Sequence, residues 1–330
     1  MDKLKEIWSL VIDNQTQSAI AILALIFAVL VALWTVRQNR KKTKLEEKRH
    51  QELLESNAET KRELKELIEE TKRTQPKDAS EDLKKEVRTV EERITSPLTA
   101  DDFFLKGYAA QIDENHKKAI EHYEKAIEIK PDNAEAYYNM GGAYYEQEKY
   151  EEAIRCYEKA IEIKPDDAGA YYNMGGAYRK QEKYEEAIRC YEKAIELKPD
   201  DAEAFNNMGV AYKKQEKREE AIRCYEKAIE LKPDNAEAYY NMGEVYEEQE
   251  KYEEAIRYYE KAIEIKPDNA EAYYNMGDVY RKQEKYEEAI RCYEKAIELK
   301  PNNAEAYYNM GEVYRKQEKR DKGNKIIDGN

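Results

Sequence analysis

The sequence has little of what active sites are usually built from. Its three histidines, His50, His116 and His122, have no nucleophile or metal partner at workable spacing. His116 and His122 are six residues apart and fall on different helix faces. No glycine-rich phosphate loop and no EF-hand loop occurs, nor any CxxC or Cys/His zinc spacing. No catalytic, cofactor or metal site is therefore expected. Only four cysteines are present, Cys156, Cys190, Cys224 and Cys292, all at one place in a repeated segment. Neighbours among them are a whole repeat apart and point the same way, outside the reach of a disulfide. They read as small apolar residues and favour a reducing compartment. Basic charge is also short: 57 Lys and Arg against 71 Asp and Glu leave a net charge of −14, which argues against nucleic acid as partner. With 12 glycines and 8 prolines, the composition suits long helices and short turns.

One long apolar run is present. From Ala19 to Val36 no charge occurs and Thr35 is the lone polar side chain. With Ser18 the run would span about 28 Å as a helix, enough for a hydrocarbon core. Trp34 sits at one end, and a basic flank from Arg37 to Arg49 comes directly after it. The pattern predicts a transmembrane helix over 18–36 held in a lipid bilayer, with residues 1–17 outside and everything beyond in the cytoplasm. A cleaved signal peptide would need a shorter apolar core and an A-x-A site. Leu4, Trp8, Val11 and Ile12 share one helical face, which suits either an interfacial segment or an extension of the span.

Residues 37–95 read as a charged helical stalk. The first part, to 73, is mostly Glu, Lys, Arg and Gln with Leu45, Leu53, Leu54, Leu64, Leu67 and Ile68 scattered among them. The leucines do not keep heptad spacing, so a coiled coil and a solitary spacer are both compatible. Pro76 breaks this helix. A second begins near Ser80 and carries Leu83, Val87, Val90 and Ile94 as a narrow seam, open to the first repeat or to another copy. Thr99 is the expected N-cap of the first repeat's opening helix.

Prolines 131, 165, 199, 233, 267 and 301 fall 34 residues apart. From Ala134 one period reads AEAYYNMGGAYYEQEKYEEAIRCYEKAIEIKPDD and recurs almost unchanged from Ala168, Ala202, Ala236 and Ala270. Each period holds two helical patterns with i, i+3, i+4 apolar spacing, here A and B, and neither can bury its stripe alone. Gly141 inside helix A implies a close crossing by helix B, with Tyr157 filling the remaining space. Tyr137, Met140, Gly141, Tyr144, Ala153, Tyr157, Ala160 and Pro165 hold the positions of W-x2-L-G-x2-Y, A-x3-F-x2-A and the closing proline. This pattern resembles the tetratricopeptide repeat, with Tyr for Trp, Met for Leu and Tyr for Phe.

The resemblance implies an all-α helix-turn-helix solenoid, a right-handed superhelix. It assigns a degenerate first repeat to 100–133, five near-identical repeats to 134–303, and an incomplete repeat with tail to 304–330. Glu148 stands where the family often has Gly; a left-handed conformation there would cost about 1–2 kcal/mol. After helix A of the last repeat, a second helix should start near Arg320, but DKGNKIIDGN makes a weak cap. The apolar side of that helix A is then exposed and invites a homo-oligomer or a partner.

The family binds extended or helical peptides in the concave groove lined by helix A. With Ala134 as position 1, the near-copies differ most at positions 9, 12 and 13. Those positions hold Gly142, Tyr145 and Glu146; Gly176, Arg179 and Lys180; Val210, Lys213 and Lys214. They continue with Glu244, Glu247 and Glu248; Asp278, Arg281 and Lys282; Glu312, Arg315 and Lys316. Tyr138, Tyr172, Tyr240, Tyr274 and Tyr308 line the groove alongside, with Asn206 interrupting. Asn139, Asn173, Asn207, Asn241 and Asn275 are expected to hydrogen-bond a ligand backbone. The basic residues favour a protein or peptide segment rich in acid. Some family members clamp a terminal carboxylate with Lys and Asn at positions 5 and 9; that set is missing, and the activity is not carried over. The expected function is a non-enzymatic, membrane-anchored scaffold or docking receptor. The alternative is a structural protein that self-assembles on the membrane through its C-terminal end.

Overall fold

The computed structural model describes residues 58–70, 81–93 and 98–328, with residues 42, 44, 48, 49, 52, 55 and 56. The chain divides into two units, 1–98 and 99–330. In the first, residues 58–70 form α1 and Glu81–Glu92 form α2. Each buries one narrow stripe, Leu64 and Ile68 on α1 and Val87 and Val90 on α2. Arg93 grips Glu63 through both guanidinium nitrogens, at 3.2 and 2.6 Å, which sets α2 alongside α1. Both side chains stay half exposed, so the pair adds at most about 1 kcal/mol.

The expected membrane placement is corrected. No helix among the described residues is long and apolar enough to cross a membrane. Those helices are amphipathic or charged, so no apolar window of sufficient length occurs in them. Residues 18–36, which carried the expectation, lie outside the described residues, as do residues 1–17, Ser80 and Pro76. The topology with the N-terminus outside and the repeats in the cytoplasm therefore has no described helix beneath it.

The second unit is a solenoid of paired helices. The A helices are α3 (Ala100–Ile112), α5 (Ala134–Glu146), α7 (Ala168–Lys180), α9 (Ala202–Lys214), α11 (Ala236–Glu248), α13 (Ala270–Lys282) and α15 (Ala304–Asp328). The B helices are α4 (His116–Ile129), α6 (Tyr150–Ile163), α8 (Tyr184–Leu197), α10 (Arg218–Leu231), α12 (Tyr252–Ile265) and α14 (Tyr286–Leu299). Thr99 opens α3 with a full capping box, sharing hydrogen bonds with Asp102. Asn133, Asp167, Asp201, Asn235 and Asn269 cap the later A helices, each accepting from the N–H three residues on.

The turn from A to B has one geometry throughout. Glu114, Glu148, Glu182, Glu216, Glu250 and Glu284 all adopt left-handed φ between 56° and 61°. In the second repeat Glu148 N–H donates to the Tyr145 carbonyl at 2.9 Å and Lys149 N–H to the Tyr144 carbonyl at 3.0 Å. This is a Schellman closure with Glu where Gly would be unstrained. Lys149, Lys183, Lys217, Lys251 and Lys285 then start the B helices with no side-chain cap. Lys149 instead lays its ammonium 6.0 Å from the Tyr144 ring.

Helix B crosses A at the expected glycine. A Cβ on Gly141 would lie 2.7 Å from the Tyr157 ring, and one on Gly243 would lie 2.6 Å from Tyr259. Tyr123, Tyr157, Tyr191, Tyr225, Tyr259 and Tyr293 are all fully buried at these crossings. Between repeats, Ala153, Ile154 and Tyr157 pack with Met174, Ala177 and Cys190 of the next pair. Burial pushes the thiols of Cys156, Cys190, Cys224 and Cys292 up to about 12, in keeping with protonated packing residues.

The last A helix departs from the rest. Gln317-Glu318-Lys319 repeats the turn tripeptide, yet α15 runs through it unbroken to Asp328, so the stretch expected to form a weak cap continues the A helix. Ala306 and Val313 are buried, while Tyr307, Tyr308 and Tyr314 are 49%, 69% and 49% exposed. A Cβ on Gly311 would meet nothing within 4 Å.

Candidate functional site

Positions 5 and 6 of the A helices form a ladder that ties each repeat to the next. Nδ2 of Asn173 donates to Oη of Tyr138 at 2.9 Å, Asn207 to Tyr172 at 2.8 Å, Asn275 to Tyr240 at 2.9 Å and Asn309 to Tyr274 at 3.0 Å. Where Asn206 replaces the tyrosine, Asn241 donates to its Oδ1 at 3.0 Å and Asn206 passes a bond on to Glu237 at 3.1 Å. Asn139 donates to the Glu135 carbonyl at 2.9 Å. The asparagines expected to hold a ligand backbone thus commit amide protons to the solenoid itself. The signal was present as a Tyr and an Asn 35 residues apart, legible only once the offset between repeats is known.

Half of the expected basic lining, Lys213, Arg281, Lys282 and Arg315, is likewise engaged. Lys213 pairs with Glu244 of the next repeat at 2.6 Å, its side chain only 12% exposed. Arg281 is held by Asp278 on its own helix, with Nε 2.9 Å from Oδ1. Lys282 reaches Glu247 at 2.7 Å and Asp278 at 3.4 Å. Arg315 pairs with Glu312, and Arg218, outside the expected set, reaches Glu248 at 3.3 Å. Buried phenols join in: Tyr259 donates to Glu247 at 2.7 Å and Tyr293 to Asp278 at 3.2 Å. Burial, together with the nearby Glu247 carboxylate, raises the Tyr259 pKa far above its ordinary value. Lys180, Lys214 and Lys316 are exposed at the groove rim, and Tyr308 stands out on α15.

The groove opens elsewhere. A cleft of about 220 Å³ lies across α5, α7 and α9, with Gly142 and Gly176 in its lining. Tyr145, Tyr157, Tyr172 and Tyr191 line it too, with Gln111, Glu146, Asn173, Arg179 and Asn207. The two glycines are not demanded by packing. A Cβ on Gly142 would stay 3.6 Å from Gln111, and one on Gly176 would stay 3.9 Å from Tyr145. From the fourth repeat onward Val210, Glu244, Asp278 and Glu312 occupy the same position.

Arg179 is the cation of this cleft. Its Nε is buried and makes no ion pair among the described residues; its hydrogen-bonding neighbour is the Tyr191 phenol beside it. Burial lowers the Arg179 pKa, but Tyr191, Tyr145 and Tyr172 more than offset this and hold it above its usual value. Burial raises the Tyr191 phenol to about 12 against the lowering effect of Arg179. The guanidinium and phenol together form a charged, hydrogen-bonding patch on an aromatic wall.

Comparison with known proteins agrees with this architecture. The family model described as TPR repeat matches residues 114–148, 141–181, 175–216 and 277–318. Two models described as tetratricopeptide repeat match 200–268 and 258–291. No curated protein matches the chain. Among solved structures it is similar to MamA, at 29% identity over 50% of this chain and 96% of that one, with a TM-score of 0.47. It is similar to YrrB, described as a TPR protein with an unusual peptide-binding site, at 30% identity over 58% and 98%, with a TM-score of 0.48. The APC/C hetero-tetramer Cut9–Hcn1 shares the fold at 17% identity, over 70% of this chain and 46% of that one, with a TM-score of 0.56. The matched stretches run from 114 to 318, well over half the sequence, and the chain belongs to the tetratricopeptide repeat family.

Proposed function

We propose that this chain is a non-enzymatic scaffold or docking protein that holds a peptide segment of another protein in the concave groove of its A helices. One observation carries the reading: the glycine-lined cleft across α5, α7 and α9, walled by tyrosines and holding the Arg179 guanidinium, which has no ion pair among the described residues. Tyrosine offers large contact area at low entropic cost, and a part-buried cation without a counter-charge gains from a charged group on the ligand.

Selection of displayed peptides against the full chain tests it. Peptides that bind the native protein are expected to lose binding to a Gly142→Phe/Gly176→Phe variant, in which the cleft is filled. Equal binding to both forms, or no binders at all, overturns the reading.

The exposed Tyr307, Tyr308 and Tyr314 favour a second reading, self-association through α15. Sedimentation of the full chain over a range of concentrations separates it from the first: a single monomeric boundary throughout removes it.

A further inference from the structure

The groove cations obey one rule. At position 12, Lys213, Arg281 and Arg315 each have an acid within reach, supplied by position 9 of the same or the next helix: Glu244, Asp278 and Glu312. Arg179 occupies the same position, but its own helix offers Gly176 and the next helix offers Val210. The acid that closes the other sites is missing at both places that could supply it. What remains is a half-buried guanidinium with no carboxylate on it, its hydrogen-bonding neighbour the phenol of Tyr191, at the wall of a cleft.

Resting on the peptide-binding reading above, the geometry points to a carboxylate of the bound peptide seated on Arg179 and Tyr191, in the place that Asp278 fills for Arg281. The ligand's carboxylate would accept from Arg179 Nε–H and from the Tyr191 hydroxyl, a charge-assisted pair in a partly desolvated site. A single negative charge fits better than two. Glu146 lines the same cleft, and a dianionic phosphate would meet its like charge with only one guanidinium to offset both. This subsite uses position 12 and a helix B phenol, not positions 5 and 9. Its carboxylate could belong to an acidic side chain or to a chain terminus, and the two are separable.

The test uses the full chain and the Arg Nε–H resonances in its nitrogen–proton spectrum, with Arg179 identified by the signal lost in Arg179→Lys. The probes are N-acetyl-glutamate N-methylamide for a side chain and N-acetylalanine for a terminus. The uncharged N-acetyl-glutamine N-methylamide and inorganic phosphate serve as comparators. The Arg179 signal should move with at least one carboxylate and not with the amide, and the tighter carboxylate names the source. Gly176→Asp, which rebuilds the Asp278–Arg281 arrangement, should weaken that response at least about tenfold. No movement with either carboxylate, equal movement with the amide, or stronger movement with phosphate overturns the inference. Peptide selection keeps this failure apart from failure of the groove itself. Peptides that need the cleft, carry no acid and bind Arg179→Gln undiminished would sink the carboxylate and leave the groove standing.

Discussion

The two halves of the groove are made from nearly the same 34 residues and come out as different surfaces. Over α5 and α7, glycine at position 9 leaves the groove open toward α9, and Arg179 lies without an acid. Over α11 and α13, Glu244, Glu247 and Asp278 stand in the groove and bind Lys213, Lys282 and Arg281. Sequence composition alone would rank the second half as richer in recognition groups. Its charges, however, are spent between repeats, where they act as fasteners. A charged residue in a solenoid is available to a ligand only if the neighbouring repeat leaves it alone.

The comparison can be broken at its glycines. Gly243→Ala sets a Cβ 2.6 Å from the buried Tyr259 ring, which should cost about 1–3 kcal/mol by overpacking. Gly142→Ala has room and should be neutral or stabilising by up to about 1 kcal/mol through helix propensity. Thermal unfolding of the two variants checks this. Gly243 is the counterpart of Gly141 and not of Gly142, so equal effects would mean that position 9 of α5 is packed as tightly as position 8 and the cleft is not open.

The fasteners come next. Glu244→Gln leaves Lys213 only 12% exposed and without its partner, an expected loss of about 1–2 kcal/mol. Arg179→Gln breaks no ion pair and should change stability by less than about 0.5 kcal/mol. Because solenoids unfold by neighbouring units, amide exchange should show the first loss confined to the repeats around α9 and α11. A loss spread evenly over the array would count against local fastening.

Two smaller effects should ignore the boundary between halves. Glu148→Gly and Glu250→Gly relieve a left-handed φ and should each stabilise by about 0.5–1 kcal/mol, after the entropy glycine adds to the unfolded chain. The cysteines should react slowly with a disulfide reagent near pH 8 in both halves, since burial holds their thiols at about 12. The sign of the linkage is set by that raised pKa. Stability is intact below the ordinary thiol value, about 8.5, and is lost as pH rises from there toward 12. A fast-reacting Cys156 beside a slow Cys292 would show that one half breathes more than the other.

Much of the fold was legible because the determinants are local and recur. The glycine beneath Tyr157, the caps on the A helices, Thr99 and the left-handed Glu148 all follow from residues within one period. What escaped was pairing across periods. Lys213 meets Glu244 31 residues on, and Asn173 meets Tyr138 35 residues back. Those offsets depend on how repeats stack, which no single period contains. The basic residues of the groove therefore read alike in sequence, while stacking pairs Lys213, Arg281 and Lys282 with acids and leaves Arg179 at an open cleft without one. The transmembrane span was argued from a run of apolar residues outside the described helices, and no described helix supports it.

The tripeptide Gln-Glu-Lys makes a left-handed turn at 147–149 and four more times at the same place, yet lies inside a continuous helix at 317–319. Three identical residues with two conformations cannot be carrying the instruction themselves; the incoming B helix imposes the bend. Lengthening or shortening such an array by whole periods, as unequal recombination between near-identical segments would do, therefore needs no repair at the joints.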